Sequence, residues 1–140
     1  KASSQWILID AARRRPIALR ENLPMYQVIG ERVIDTDFPK ISEPQKIDEA
    51  AEFFIRFDDI DLNNHVNNAV YPLWASEAVG IDFRAAHTPA EIEIAFKKEG
   101  LYGEDIRVET EFDNLTTIHR IKATGDGREL ARVRICWIGI

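Results

Sequence analysis

In the second half of this chain one helix-like run is followed by four strand-like runs, and that order leaves few folds open. The helical pattern covers residues 69–80, and Gly80 is a plausible stop because glycine readily takes the left-handed conformation that ends helices. Residues 91–99, 105–112, 116–124 and 129–138 then read as strands. Leu101-Tyr102-Gly103, Asp113-Asn114 and Gly125-Asp126-Gly127-Arg128 separate them as turn signals. Another strand is expected at 51–58, ahead of the helix. Strand, helix and then an antiparallel meander is an α+β arrangement, in which a curved sheet wraps around one long helix.

The first part of the chain is less regular. Residues 2–10 read as a strand and Asp10 to Pro16 as the turn after it. Residues 17–19 can begin a second strand, and a short helix is expected from Asn22, through about residue 29. Residues 35–48 carry Asp35, Asp37, Pro39 and Pro44 and have linker composition. The reading is therefore two parts, 1–45 and 46–140. The chain opens on Lys1 and runs almost at once into a strand pattern, so it is expected to be a piece of a longer protein.

Composition narrows the function classes. The 24 acidic and 18 basic residues among 140 give a net charge of −6, which argues against a nucleic-acid binder. No apolar run approaches the roughly 20 residues that span a bilayer. Cys136 is the single cysteine, so neither an internal disulfide framework nor a cysteine metal cluster is available, and a reducing compartment fits. His87 and His119 lack neighbours at metal-ligand spacing. No metal and no other cofactor are expected.

The chemistry-bearing stretch is Asp61-Leu62-Asn63-Asn64-His65-Val66-Asn67-Asn68, which lies where the 51–58 strand gives way to the helix. Crowded polar side chains are costly at such a junction unless they bond each other, backbone or a ligand. Asn67 or Asn68 is the expected helix cap, with Pro72 in the first turn. On an extended approach Asp61, Asn63 and His65 share one side. His65 is the histidine of this stretch, the residue type suited to proton transfer near neutral pH. A capped loop that only satisfies backbone is the alternative for this stretch. Glu99, at the end of the 91–99 strand, can by composition alone be a solvated acid.

The string Arg56-x-x-Asp59-x-Asp61-x-Asn63-x-His65-Val66-Asn67-Asn68-x-x-Tyr71-x-x-Trp74-x-x-Glu77 resembles the signature of acyl-acyl-carrier-protein thioesterases, within the hotdog-fold thioesterase superfamily. Trp6, Arg13-Arg14-Arg15-Pro16, Phe96-Lys97-Lys98-Glu99, Gly125-Asp126-Gly127 and Arg132-x-Arg134-x-x-Trp137 extend the likeness over nearly the whole chain. The resemblance implies a C-terminal, catalytic-half hotdog domain after the last strands of a preceding one. It implies hydrolysis of fatty acyl thioesters on acyl carrier protein, in a bacterial cytoplasm or a plastid. It also implies that Glu99 points into the site.

Asp61, Asn63, His65 and Glu99 are then the catalytic candidates, and Asn67, Asn68, Tyr71 and Trp74 the substrate-contacting ones. Some family members carry Cys right after the Glu, but here Gly100 stands there, which disfavours a thiol nucleophile. Glu99 and His65 would instead activate water, Asn63 would hold water or carbonyl, and the helix start would face the oxyanion. Two other readings stay open. One is an acyl-CoA thioesterase using Asp61 as nucleophile or base, with Glu77 as a more remote rival acid. The other is a non-catalytic acyl-binding hotdog half. Arg13, Arg14 and Arg15, with Lys97 and Lys98, can steer an acidic carrier protein or can be merely solvated. Packing against another hotdog domain, in the same chain or in a homodimer, is expected because sheet edges need cover.

Overall fold

The structure is a computed structural model that describes the chain except for residues 11, 14, 25–29 and 32. It divides into two compact units, Lys1–Pro39 and Lys40–Ile140.

The first unit holds little regular structure among its described residues. Strands β1 (Ile9–Asp10) and β2 (Arg15–Pro16) pair antiparallel, and the Asp10 carboxylate accepts the amides of Ala12 and Arg13 in the turn between them. The strand expected over residues 2–10 is thus reduced to its last two. A ladder only as long as its partner can extend no further. Residues 17–19 do not begin a strand, because Leu19 opens a one-turn helix, α1 (Leu19–Asn22). The helix expected from Asn22 onward does not start there, since Leu23 is already extended; residues before proline avoid helical backbone. The rest of that expectation, residues 25–29, lies outside the described residues.

The second unit is the α+β fold. Its elements are β3 (Glu49–Phe54), a 3₁₀ turn (Phe57–Asp59), α2 (Val70–Glu77), α3 (Ile81–Ala86), β4 (His87–Phe96), β5 (Asp105–Asp113), β6 (Thr116–Ala123) and β7 (Glu129–Gly139). The five strands form one antiparallel sheet in the order β3-β5-β6-β7-β4. Burial alternates strictly on β6, and alternate residues of β5, β6 and β7 make the inner face. Val108, Ile121 and Ala131 lie in register across it, as do Thr110, His119 and Val133. These rows pack with Tyr71, Trp74, Ala75, Ala78 and Val79 of the helical layer. Tyr71 meets Trp74 and Phe96 edge-on, each at 5.4 Å between ring centres. Truncating a buried aromatic of this kind costs about 3–5 kcal/mol.

The helix differs from the single long one expected. It breaks at Gly80, whose φ of 80° only glycine adopts cheaply, and restarts as α3. The sequence signal for the stop was sound, and the restart carries no capping side chain that could announce it. β4 begins four residues earlier than expected, across a register shift at Pro89–Glu91, and ends at Phe96. Neither of its faces is cleanly buried, as befits an edge strand.

The outer face of the sheet is ionic. Glu109 is nearly fully covered among Arg107, Arg120 and Lys122. Residues 41–48 cross this face: Arg132 donates to the Ile41 carbonyl and pairs with Glu43 and Glu129. Asp48 donates its amide to the Thr110 carbonyl and accepts the Phe112 amide. This stretch of linker composition is therefore strapped to the sheet.

Candidate active site

Two loops meet beside the start of α2. The first runs from the 3₁₀ turn to the helix. Arg56 and Asp59 fix its entry: the guanidinium donates to both Asp59 oxygens, and Asp59 also accepts the Arg56 amide. Asp59 is 2% exposed, and the Arg56 fork holds its carboxyl below the usual carboxylate range. Its carbonyl accepts the Asn67 amide at 2.8 Å, which closes the loop at the far end.

Asp61 organises the interior of that loop. Its Oδ1 accepts the Asn63 amide at 2.7 Å and the His65 amide at 3.4 Å, and Oδ2 faces the Asn63 side-chain amide at 3.4 Å. These bonds, led by the Asn63 amide, hold the Asp61 carboxyl below its ordinary value. The Asp61 amide in turn donates to the His65 carbonyl at 2.8 Å, and Asn64 takes φ of 61° between them. Asparagine tolerates that left-handed geometry better than other non-glycine residues. The segment is therefore a tight turn, not the extended run on which Asp61, Asn63 and His65 would share a side. Asp61 and Asn63 still meet, because the turn folds one onto the other.

Glu99 lies three residues beyond the end of β4, on the second loop, not within the strand. Its Oε2 stands 3.3 Å from His65 Nε2, with the two side chains 54% and 37% exposed. Residues 34 positions apart are brought together by a backbone bond one residue further on, from the Val66 amide to the Gly100 carbonyl at 3.0 Å. Gly100 is fully enclosed. A Cβ there would sit 3.0 Å from Val66 Cγ2, 3.1 Å from Ile55 Cδ1 and 3.3 Å from the Tyr71 hydroxyl. A thiol-bearing residue at this position would require Val66 or Ile55 to move.

The remaining candidates fall as follows. Asn67 does not cap α2 in the strict sense, since Ala69 holds the cap position. It nevertheless accepts the Ala69 amide through Oδ1 and the Val70 amide through its carbonyl. With Pro72 lacking an N–H, the helix start offers fewer free donors than its sequence suggests. Asn68 is exposed. Tyr71 and Trp74 are only 2% and 6% exposed, so both are core side chains, and burial raises the Tyr71 phenol. Tyr71 reaches the site from beneath, at Gly100. An open cleft of about 650 Å³ flanks the first loop, lined by Phe57, Ile60, Asp61, Leu62, Asn63, Asn64 and Asn67.

Glu77 is exposed at the last turn of α2. Cys136 alternates with the inward Ile135 and Trp137 and faces outward, half-buried beside Thr116. The His87 ring stacks on Phe83 and meets the Phe83 carbonyl. Among the described residues no cluster of three or more His, Cys, Asp or Glu is placed to hold a metal. Arg13, Arg15, Lys97 and Lys98 are exposed, and Arg14 lies outside the described residues.

Sequence reasoning passed over two groups that shape the site: the Arg56–Asp59 fork and the pair Arg128–Glu104. The motif spacing contained the first. Nothing local marked the second, because its partners are 24 residues apart.

Residues 42–139 match the family model described as the acyl-ACP thioesterase C-terminal domain. The chain belongs to that family. The chloroplastic palmitoyl-acyl carrier protein thioesterase of Arabidopsis thaliana is 24% identical over 159 residues, covering 98% of this chain and 37% of its own. The plant's chloroplastic oleoyl-acyl carrier protein thioesterase 1 is 21% identical, covering 98% and 46%. The chain thus spans less than half the length of these relatives. Among solved structures, the 12:0-ACP thioesterase of Umbellularia californica superposes with a TM-score of 0.72 at 17% identity, over 94% of this chain and 53% of its own. A putative oleoyl thioesterase of Lactobacillus plantarum gives 0.64 at 22%, over 94% and 54%. These likenesses establish the hotdog fold of the thioesterase domain.

Proposed function

We propose that this chain carries the catalytic half of an enzyme that hydrolyses fatty acyl thioesters of acyl carrier protein, releasing the free fatty acid and ending chain elongation. The observation that carries the mechanism is the His65–Glu99 contact at 3.3 Å, on two loops clamped by the Val66–Gly100 backbone bond. Glu99 and His65 take a proton from water as it adds to the thioester carbonyl. Asn63 holds the water or the carbonyl through its amide. Asn67 and Asn68 form the rim against which substrate lies, and the buried Tyr71 and Trp74 back that wall from the core.

Asp61 as nucleophile or base is the second reading, and the geometry disfavours it. Both its oxygens already serve the turn, and their bonds stabilise the ionised form, which weakens a base. Asp61 is better suited to fixing the loop that presents His65. A thiol route is disfavoured at Gly100 by crowding and at Cys136 by its outward orientation.

Residues 1–45 are read as the end of a preceding hotdog domain plus linker, and 46–140 as the catalytic half. The open edge strand β4, with Ile92 and Phe96 exposed, supports packing against another hotdog domain. No described helix is long and apolar enough to cross a membrane. Of the two expected compartments, the chloroplastic relatives support the plastid.

The test is release of free thiol from acyl-carrier-protein and acyl-CoA substrates by the full-length protein and its Glu99→Ala, His65→Ala and Asp61→Ala variants. Carrier-protein activity that collapses with Glu99→Ala and His65→Ala supports the water mechanism. Activity that survives Glu99→Ala and is lost in Asp61→Ala transfers the chemistry to Asp61. A folded full-length protein inactive on both thioesters leaves an acyl-binding role.

A further inference from the structure

Glu99 is exposed and sits on a loop, so its carboxylate can meet His65 reproducibly only if that loop is rigid. The inner side of the loop is fixed by contact, through the enclosed Gly100 and the Val66 amide. Its far end is fixed by Ile55, which donates to the Glu104 carbonyl and accepts the Gly103 amide. The outer side depends on one side chain from elsewhere in the fold. Arg128, in the turn between β6 and β7, donates through Nη2 to both Glu104 oxygens at 2.5 Å and approaches the Glu99 carbonyl at 3.4 Å. The same Glu104 carboxylate accepts the Leu101 amide at 2.9 Å. Asp126 holds the other arm of the guanidinium, Nη1, at 2.8 Å, and aims it. Residues 99, 101 and 104 of the loop therefore all converge on one ion pair. That pair is about three-quarters removed from solvent, where charge-assisted bonds are strong and directional.

We propose that Arg128, working through Glu104 and the Glu99 carbonyl, is a positioning residue that holds Glu99 in register with His65. The proposal rests on the reading of Glu99 and His65 as the proton-transfer pair. Arg128 touches neither substrate nor the reacting atoms. Its effect is to keep the backbone of Glu99 from swinging outward, and displacement of about 1 Å at such a group can cost on the order of 10²-fold in rate.

The experiment measures kcat and KM of the full-length protein on an acyl-carrier-protein thioester for Arg128→Met, Arg128→Lys and Glu104→Gln. Each is made alone and combined with Glu99→Gln. Crystal structures of the wild type and Arg128→Met give the His65–Glu99 separation. Arg128→Met is expected to lower kcat by about 10- to 100-fold with KM within about twofold. In the Glu99→Gln background it should cost less than about twofold more, because the two residues act in one chain of effect. Arg128→Lys, which keeps the charge but not the fork, should fall between wild type and Arg128→Met, and Glu104→Gln should lower kcat in the same non-additive way. Arg128→Met with kcat within about twofold of wild type, or losses that multiply fully with Glu99→Gln, overturns the proposal. Should Arg128→Met fail to fold, the lysine and Glu104→Gln variants decide the same comparison. If the wild-type protein hydrolyses no thioester, the catalytic reading fails on its own account. The positioning role is then decided by whether the His65–Glu99 contact opens in a folded variant.

Discussion

Two histidines, one on a loop and one on the central strand of the sheet, show how one side chain type serves two purposes. His65 is partly exposed on a loop, facing the Glu99 carboxylate at 3.3 Å. His119 is fully buried on β6, between Thr110 at 2.9 Å from Nδ1 and Thr117 at 2.7 Å from Nε2. Thr117 also accepts from Trp137 Nε1. A neutral imidazole needs one donor and one acceptor partner, and two threonines supply both. Burial without any counter-charge drives the His119 pKa down to about 3. His119 is thus a fixed, neutral core residue. His65 keeps access to solvent and to an acid, which is what proton transfer requires. Position in the fold, not residue type, separates structure from chemistry.

The sharpest way to break this contrast is to remove the proposed proton-transfer pair. His65→Ala and Glu99→Ala are each expected to lower kcat/KM on an acyl thioester by about 10² to 10⁴-fold. Their thermal stability should change little, since an exposed ion pair contributes about 0–1 kcal/mol. Steady-state kinetics beside a melting curve checks both halves. His119→Ala should do the reverse. It is expected to destabilise by about 2–4 kcal/mol, through a cavity and the loss of the ring that both Thr110 and Thr117 bond, Thr117 keeping only Trp137, as denaturant titration would show.

Acid sharpens the comparison further. The folded pKa of His119 lies below its unfolded value, so the unfolded chain binds more protons between about pH 6.5 and pH 3. Stability from this group is complete above pH 6.5 and falls as pH drops through that window, by up to about 1.4 kcal/mol per pH unit. His119→Gln should flatten that slope when unfolding free energy is measured from pH 7 to pH 4. The smallest effect is expected at Cys136, which faces the outer side of the sheet. Cys136→Ser should leave thioester hydrolysis within about twofold of wild type, and a larger loss would reopen a thiol role.

Much of the second unit was legible because its signals are local. Alternation over β5, β6 and β7 and the turn residues between them set these strands to within a residue or two. The two edge strands are the instructive exceptions, β3 running Glu49–Phe54 where 51–58 was expected and β4 His87–Phe96 where 91–99 was expected. An edge strand with neither face cleanly buried lacks the contrast that period-two reading needs, so both its ends were displaced. The site was legible in its residue types but not in its geometry. Asp61-x-Asn63-x-His65 reads as an alternating row, whereas Asn64 in left-handed backbone folds it into a turn. Tyr71 and Trp74, candidates for substrate contact, lie in the core because the helix turns that face onto the sheet.

The sequence by itself determined the α+β class, the meander, the helix stop at Gly80 and the polar turn that feeds α2. Each rests on periodicity or on the backbone preference of one residue, which neighbours in the chain suffice to express. Only the tertiary structure decided that Glu99 meets His65, that Val66, Ile55 and Tyr71 crowd Gly100 and that Arg128 reaches Glu104 and the Glu99 carbonyl. Those facts depend on residues about 30 positions apart being brought within hydrogen-bond reach, and no local preference encodes a distance of that kind.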